Sequence, residues 1–116
     1  ALVTGGAGGI GQALALGLGL HGATVVVSSR HQEAIDAVAG KITDESGNEA
    51  IAIVSDVTDE SSMQNLVEKV VEKYGRIDIL VNAMGMNIKH DAFDYPIEDW
   101  EKLFKVNVEG TMIACK

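Results

Sequence analysis

Cysteine is almost missing from the chain, and this scarcity excludes two kinds of site. Cys115 is the only cysteine among 116 residues, so an internal disulfide and a cysteine zinc cluster are both excluded. His21, His31 and His90 lack the spacing of metal ligands, and no metal site is predicted. A single cysteine suits a reducing compartment, and we expect a cytoplasmic protein.

Positive charge is also scarce. The chain has 9 Lys and Arg against 17 Asp and Glu, a formal net charge of −8. A nucleic acid or an anionic membrane requires a basic face, so neither is expected as a partner. The apolar stretch Ile10–Val27 has the length of a membrane span, but Gln12, His21 and Gly22 interrupt it. It is predicted to form a buried helix followed by a buried strand.

Aromatic residues make up only 4% of the chain and hydrophobic residues 47%, so a core of Val, Ile, Leu and Ala is predicted. The length fits one domain. The predicted strands are Ala1–Val3, Val25–Val27, Ile51–Val54 and Ile77–Val81. The predicted helices are Gly9–His21, Gln32–Ser46, Asp59–Tyr74 and one from Ile97 to the end, with Thr58 as an N-cap and Gly47 and Gly75 as stops. This alternation is typical of an α/β fold with a parallel sheet and helices on both faces.

A glycine-rich turn separates the first strand from the first helix. The segment Thr4-Gly5-Gly6-Ala7-Gly8-Gly9-Ile10-Gly11 stops an apolar strand and opens a helix. Glycine lets an anion approach the backbone, and the N–H groups of a helix start face it with the helix dipole behind them. The turn therefore predicts a phosphate cradle in a dinucleotide-binding domain of the Rossmann type. A tight turn without a ligand is the alternative.

Four motifs in order resemble the short-chain dehydrogenase/reductase family, across essentially the whole chain. They are Thr4-Gly5-x-x-x-Gly9-Ile10-Gly11, Asp56-Val57, Leu80-Val81-Asn82-Ala83-Met84-Gly85 and Val106-Asn107-Val108. The resemblance implies that the glycines hold the pyrophosphate of a dinucleotide and that Asp56 contacts its adenine. It also implies that the Asn82–Gly85 turn supports the nicotinamide side and that Asn107 holds a proton-relay water.

Two of these positions have simpler interpretations, and one motif departs from the family pattern. Asp56 is also a common turn residue after a strand, and Asn107 by itself is typical of an exposed surface residue. The family's usual Asn-Asn-Ala-Gly is here Asn82-Ala83-Met84-Gly85, which removes side-chain hydrogen bonds and reduces the expected rigidity of that turn.

The segment after the second strand predicts which dinucleotide binds. An enzyme that prefers NAD usually places an acid there for the ribose 2′-hydroxyl, whereas this chain has Ser28-Ser29-Arg30. Ser29 donates a hydrogen bond and Arg30 makes a forked contact to a 2′-phosphate, so NADP is predicted over NAD. Against this, the family's second basic residue in the glycine turn is replaced by Gly8. Arg30 as a plain cap of a surface loop is the alternative.

The catalytic residues that the family requires are not found in this chain. The family uses a serine and a tyrosine followed four residues later by a lysine, but Tyr74 is followed by Asp78 and Tyr95 by Asp99. Residues 1–116 are therefore expected to be a single dinucleotide-binding domain that forms the N-terminal half of a longer oxidoreductase. By themselves they are expected to be inactive and to fold poorly.

The expected function is hydride transfer between NAD(P) and a small alcohol or carbonyl substrate, by a protein that forms homo-oligomers as the family does. A dinucleotide-binding sensor or scaffold without chemistry is the alternative. Lys89 and His90 follow the fourth strand, at the expected mouth of the cleft. They suggest a polar or anionic sugar-like substrate, and solvated loop charges are the alternative for them.

Overall fold

A parallel four-stranded sheet forms the centre of the computed structural model, which describes residues 1–116. The strands are β1 (Leu2–Thr4), β2 (Val25–Ser29), β3 (Ala50–Val54) and β4 (Leu80–Asn82), in the order β3-β2-β1-β4. Val3 of β1 pairs with Val27 on one side and Val81 on the other. The chain thus reverses its direction of winding between β1 and β4. In open α/β sheets a crevice forms at that point, outside the carboxyl ends of the strands.

Helices cover both faces of this sheet, as the alternating pattern predicts. They are α1 (Gly9–Leu20), α2 (Gln32–Ser46), α3 (Glu60–Tyr74), α4 (Ile97–Phe104) and α5 (Gly110–Cys115). A π-helical segment, Lys105–Glu109, joins α4 to α5, and a short 3-10 turn at Ala92–Asp94 precedes α4. None of the helices combines the length and the hydropathy that a membrane span requires.

Two apolar clusters, one on each face, fix the helices to the sheet. On one face, alternate strand residues contact α1 and α2 in a cluster of Val3, Ala15, Val25, Val27, Ile35, Val38 and Ile42. On the other face, Leu2 and Val26 contact α3 through Met63, Leu66 and Val70. Because both faces of β1 and β2 are buried, Leu2–Val3 and Val25–Val27 are unbroken apolar runs rather than alternating ones, and the strands turn polar only at their carboxyl ends, at Thr4, Ser28 and Ser29.

Of the three helix caps predicted, the two C-terminal glycines are confirmed and the N-cap of α3 is wrong. Gly47 and Gly75 end α2 and α3 in the left-handed conformation, as predicted. Thr58 is not the N-cap of α3: the carboxylate of Asp59 accepts the N–H groups of Ser61 and Ser62. Asp59 is the better cap because its charge also faces the positive end of the helix dipole.

The last strand and the last helix also depart from the predicted bounds. The fourth strand covers Leu80–Asn82 rather than Ile77–Val81, and it pairs only with β1. The helix predicted from Ile97 to the end is divided by the π-helical segment. The first helix ends at Leu20, one residue before the predicted end, and β2 extends two residues further, to Ser29.

Candidate functional site

A groove of about 470 Å³ opens at the carboxyl ends of all four strands. Residues of the loops after the strands line it, together with Lys102 of α4 and Lys105 and Val106 of the π-helical segment. Its lining residues are Gly5, Ala7, Gly8, Ser28, Ser29, Arg30, His31, Ser55, Asp56, Val57, Thr58, Ala83, Met84, Gly85, Met86, Lys102, Lys105 and Val106. Of the residues predicted for cofactor binding, Gly5, Ser29, Arg30, Asp56, Val57, Ala83 and Gly85 are in this set, whereas Thr4, Gly9, Ile10, Gly11 and Asn82 are not.

Two glycines of the first turn are required by the packing of the protein itself. Gly5 has a φ of +70°, and a Cβ there would lie 2.4 Å from the backbone nitrogen of Met84. A Cβ on Gly11 would lie 2.3 Å from the carbonyl oxygen of Gly5. These glycines therefore allow the turn to close against β4 and α1 to start directly behind it.

Gly9 is different, because the fold does not need a glycine there. A Cβ on Gly9 would meet no atom within 4 Å. The N–H groups of Gly9, Ile10 and Gly11 donate to no acceptor within the chain. Open space beside three free N–H groups at the positive end of α1 is what an approaching phosphate requires. The turn therefore fits the pyrophosphate of a dinucleotide.

A pair of buried hydroxyls supports the loop after β2. Ser28 Oγ lies 2.6 Å from the carbonyl oxygen of Ile53 and 2.6 Å from Ser55 Oγ. The backbone N–H of Ser55 donates to the carbonyl of Ser29 at 3.1 Å. The loop that carries Ser29 and Arg30 is thereby tied to the loop after β3. Arg30 itself is exposed and has neither a hydrogen bond nor an ion pair.

Asp56 serves as a turn residue with one oxygen and faces the groove. Its Oδ1 accepts the backbone N–H of Thr58 at 2.9 Å and the Thr58 hydroxyl at 2.7 Å. These two hydrogen bonds, with a smaller contribution from nearby Arg30, lower the pKa of Asp56. The carboxylate is therefore ionised at neutral pH, and Oδ2 is available to a donor group in the groove.

Thr4 and Asn82, which sequence motifs placed in the cofactor site, do not line the groove. Thr4 is fully buried, and its hydroxyl lies 3.2 Å from Asn82 Oδ1 and 3.4 Å from the carbonyl oxygen of Val81. Asn82 Nδ2 lies 3.3 Å from Cys115 Sγ of α5. Both side chains connect β1, β4 and α5 rather than lining the groove.

Asn107 lies in the π-helical segment and holds the loop after β4. Its Oδ1 accepts the backbone N–H of Met86 at 2.9 Å, and its Nδ2 donates to the Met86 carbonyl at 3.0 Å. The Asn107 carbonyl accepts the hydroxyl of Thr111 at 2.9 Å. The predicted role of this position, holding a proton-relay water, stays a prediction.

The structure does not place Lys89 or His90 on the walls of the groove. His90 Nε2 instead lies 2.8 Å from Asp99 Oδ2, and its ring packs edge-on against Tyr95. Lys102 contacts the other oxygen of Asp99 at 3.0 Å, and both contacts, that of Lys102 first, lower the pKa of Asp99. The sequence did not predict Lys102 and Lys105 as site residues. The available signal was that these lysines are three residues apart and shortly precede Asn107 in the same helical stretch.

Comparisons with known proteins agree with this geometry. The family model described as short chain dehydrogenase matches residues 1–116. An uncharacterised oxidoreductase of Bacillus subtilis (strain 168) is 40% identical over 116 residues, which cover 100% of this chain and 45% of that protein. The L-rhamnose 1-dehydrogenase (NAD(P)(+)) of Sphingomonas sp. (strain SKA58) is 37% identical over 109 residues, covering 94% of this chain and 43% of that protein.

A solved structure gives the same result at the level of the fold. The crystal structure of NAD+-bound xylitol dehydrogenase is 33% identical, with a TM-score of 0.94, over 98% of this chain and 44% of that one. The chain therefore spans about half the length of the relatives it matches.

Proposed function

The chain belongs to the short chain dehydrogenase family, and on that premise we propose that its groove binds a nicotinamide dinucleotide in an oxidoreductase of small alcohols or carbonyls. The observation that carries the proposal is the open Gly9 beside three free N–H groups at the start of α1. When bound, the nicotinamide supplies the hydride chemistry that no side chain can supply. Gly9, Ile10 and Gly11 hold the pyrophosphate through their N–H groups, and Asp56 accepts from the adenine.

We propose that NADP is the preferred dinucleotide. Ser29 and Arg30 line the groove where an acid would serve NAD, and Arg30 has no partner that competes for its guanidinium. A charge-assisted hydrogen bond contributes about 1.5–3 kcal/mol when well formed. Because Arg30 is exposed, we take the lower end, roughly a tenfold preference.

Titrating NADP+ and NAD+ into the complete protein tests this preference. Ser29→Asp is expected to reverse it, since the new carboxylate repels a 2′-phosphate and accepts from a 2′-hydroxyl. Asn65→Asp is the matched control, because it adds the same charge at an exposed position of α3, outside the groove. Tighter binding of NAD+ by the unmodified protein would contradict the proposal.

We propose that the group that exchanges a proton with the substrate lies outside residues 1–116. Tyr74 donates to Glu49 at 2.9 Å, and burial and this carboxylate raise the pKa of Tyr74. A catalytic tyrosine needs a lowered pKa. Tyr95 donates to the carbonyl of Ile88. Neither tyrosine lines the groove.

The coding sequence after Lys116 tests this part of the proposal. A serine followed by Tyr-x-x-x-Lys within roughly the length of the relatives' second half supports an enzyme. A stop codon directly after Lys116, or a second half without these residues, favours the alternative function, a dinucleotide-binding module without chemistry.

For the substrate we propose a polyol or a sugar. The support comes from two similar proteins, an L-rhamnose 1-dehydrogenase and a xylitol dehydrogenase. Lys89 and His90 do not support the proposal, because they do not line the groove. The test compares kcat/KM of the complete protein for xylitol and L-rhamnose with the value for 2-propanol. A higher value for 2-propanol than for both xylitol and L-rhamnose would contradict the proposal.

We also propose that the protein associates with a second copy through α4, the π-helical segment and α5, which together span residues 97–115. Large apolar side chains at three- and four-residue intervals are exposed there: Ile97 69%, Trp100 52%, Phe104 46%, Val108 55% and Met112 66%. Exposed apolar patches of this kind mark interaction surfaces. Trp100→Asp is expected to lower the mass measured by light scattering, and Val71→Asp, at an exposed site of α3, is not. A monomeric unmodified protein would contradict the proposal.

A further inference from the structure

The walls of the groove are basic although the chain as a whole is acidic. Arg30, Lys102 and Lys105 line it against a single carboxylate, Asp56, so three of the 9 Lys and Arg residues are gathered there. Two walls contribute them: Arg30 follows β2, whereas Lys102 and Lys105 belong to α4 and the π-helical segment. An anion in the groove is therefore attracted from both sides.

The two lysines are not equally available to a ligand. Lys102 Nζ lies 3.0 Å from Asp99 Oδ1, and His90 contacts the other oxygen of Asp99. Lys102 is therefore already engaged in an ion-pair network with Asp99 and His90. Lys105 Nζ lies 3.6 Å from Glu109, beyond hydrogen-bond distance, with both side chains more than half exposed. Exposed pairs of this kind contribute little free energy. Lys105 can therefore leave Glu109 for a stronger anion.

The position of Lys105 is fixed by the backbone behind it. It is the first residue of the π-helical segment, whose Asn107 makes two hydrogen bonds to Met86. Local π-helical turns within α-helices are frequently found at functional sites. Val106, beside Lys105, also lines the groove. The segment is thus held against the loop after β4, and its Lys105 lines the same groove as Arg30.

We propose that Lys105 is a specificity-determining residue that contacts the 2′-phosphate of NADP together with Arg30. It supplies the second positive charge that Gly8 does not provide in the glycine turn. The inference rests on the proposed dinucleotide site and names a residue of that site. A phosphate monoester carries up to two negative charges, which one arginine does not neutralise.

Lys105→Gln in the complete protein tests the inference, because glutamine removes the charge and keeps a polar side chain only one bond shorter than that of lysine. The expected result is about a fivefold loss of affinity for NADP+ and less than a twofold change for NAD+. Lys105→Arg is expected to retain the affinity. Lys73→Gln is the matched control, since Lys73 also pairs with a glutamate, Glu49 at 3.0 Å, and lies outside the groove.

Two smaller probes separate the phosphates. Adenosine 2′-monophosphate is expected to lose affinity in Lys105→Gln, and adenosine 5′-monophosphate is expected to keep it. Equal losses for both probes, or NADP+ binding unchanged by the substitution, would overturn the role of Lys105 while leaving the proposed function intact. Binding of neither NADP+ nor NAD+ by the unmodified protein would overturn the proposed function and this inference with it.

Discussion

Replacing Gly9 and Gly11 separately by alanine distinguishes a glycine needed by a ligand from one needed by the fold. A Cβ on Gly11 would lie 2.3 Å from the carbonyl oxygen of Gly5 and 3.0 Å from Gly6 Cα. Both are backbone atoms, so the whole turn must shift. We expect Gly11→Ala to lower the free energy of unfolding by about 2–3 kcal/mol.

Gly9→Ala is expected to have the opposite effect on stability. The new methyl group meets nothing within 4 Å, and Gly9 is not among the glycines with positive φ. Alanine loses less conformational entropy than glycine on folding, so Gly9→Ala is expected to stabilise by about 0.5 kcal/mol. The methyl group nevertheless crowds the phosphate at the free N–H groups, and we expect about a tenfold weaker binding of NADPH.

Urea denaturation measures the stabilities of both variants, and the fluorescence of reduced nicotinamide measures NADPH binding. We expect Gly9→Ala to change NADPH binding without lowering stability: it should fold at least as stably as the unmodified protein and bind NADPH more weakly. A loss of stability in Gly9→Ala as large as in Gly11→Ala would refute the reasoning. So would unchanged NADPH binding by Gly9→Ala.

Three further predictions concern the surroundings of the groove. Gly110→Ala places a Cβ 2.9 Å from Val57 Cγ2, and it is expected to lower the free energy of unfolding, measured with urea, by about 1–2 kcal/mol. Adding Val57→Ala should restore most of this stability, and no restoration would exclude the clash as the cause. Asp56→Ala is expected to cost about 1 kcal/mol at neutral pH. Folding lowers the pKa of Asp56, so the stability lost in Asp56→Ala is fully present above the unfolded-state pKa, about 4, and disappears as the pH falls through the folded-state pKa. A stability difference between the two proteins that stays constant in melts down to about pH 2 would contradict this assignment. Residues 1–116 expressed alone are expected to aggregate, since β4 pairs on one side only and an open edge is a template for association; a monomer by light scattering with a sharp melt would contradict this.

The strands and helices could be predicted because their signals are local. Val25–Val27 is an unbroken β-branched run, and Gly47 and Gly75 follow the last apolar residue of a helical stripe. The cap of α3 was predicted one residue early, because Thr58 and Asp59 are adjacent and both residue types occur at N-caps, although Asp is the more favoured of the two. Only the phase of the helix decides between them.

The site was predictable where its residues follow strands and unpredictable where distant segments meet. Asp56 and Ser29 directly follow or end strands, so the sequence placed them at the groove. Lys105 lines the same groove as Arg30, 75 positions earlier in the chain, and no local sequence pattern indicates that these two segments meet. The interruption of the last helix depends on the bonds between Asn107 and Met86, which lie 21 residues apart.

A crystal structure of the complete protein with NADP+ tests the central claim most directly. The account predicts electron density for the pyrophosphate at the N–H groups of Gly9, Ile10 and Gly11. It predicts the adenine beside Asp56, with the 2′-phosphate contacting Arg30. Density for the dinucleotide away from the carboxyl ends of the strands, or no binding at concentrations that saturate the relatives, would contradict it.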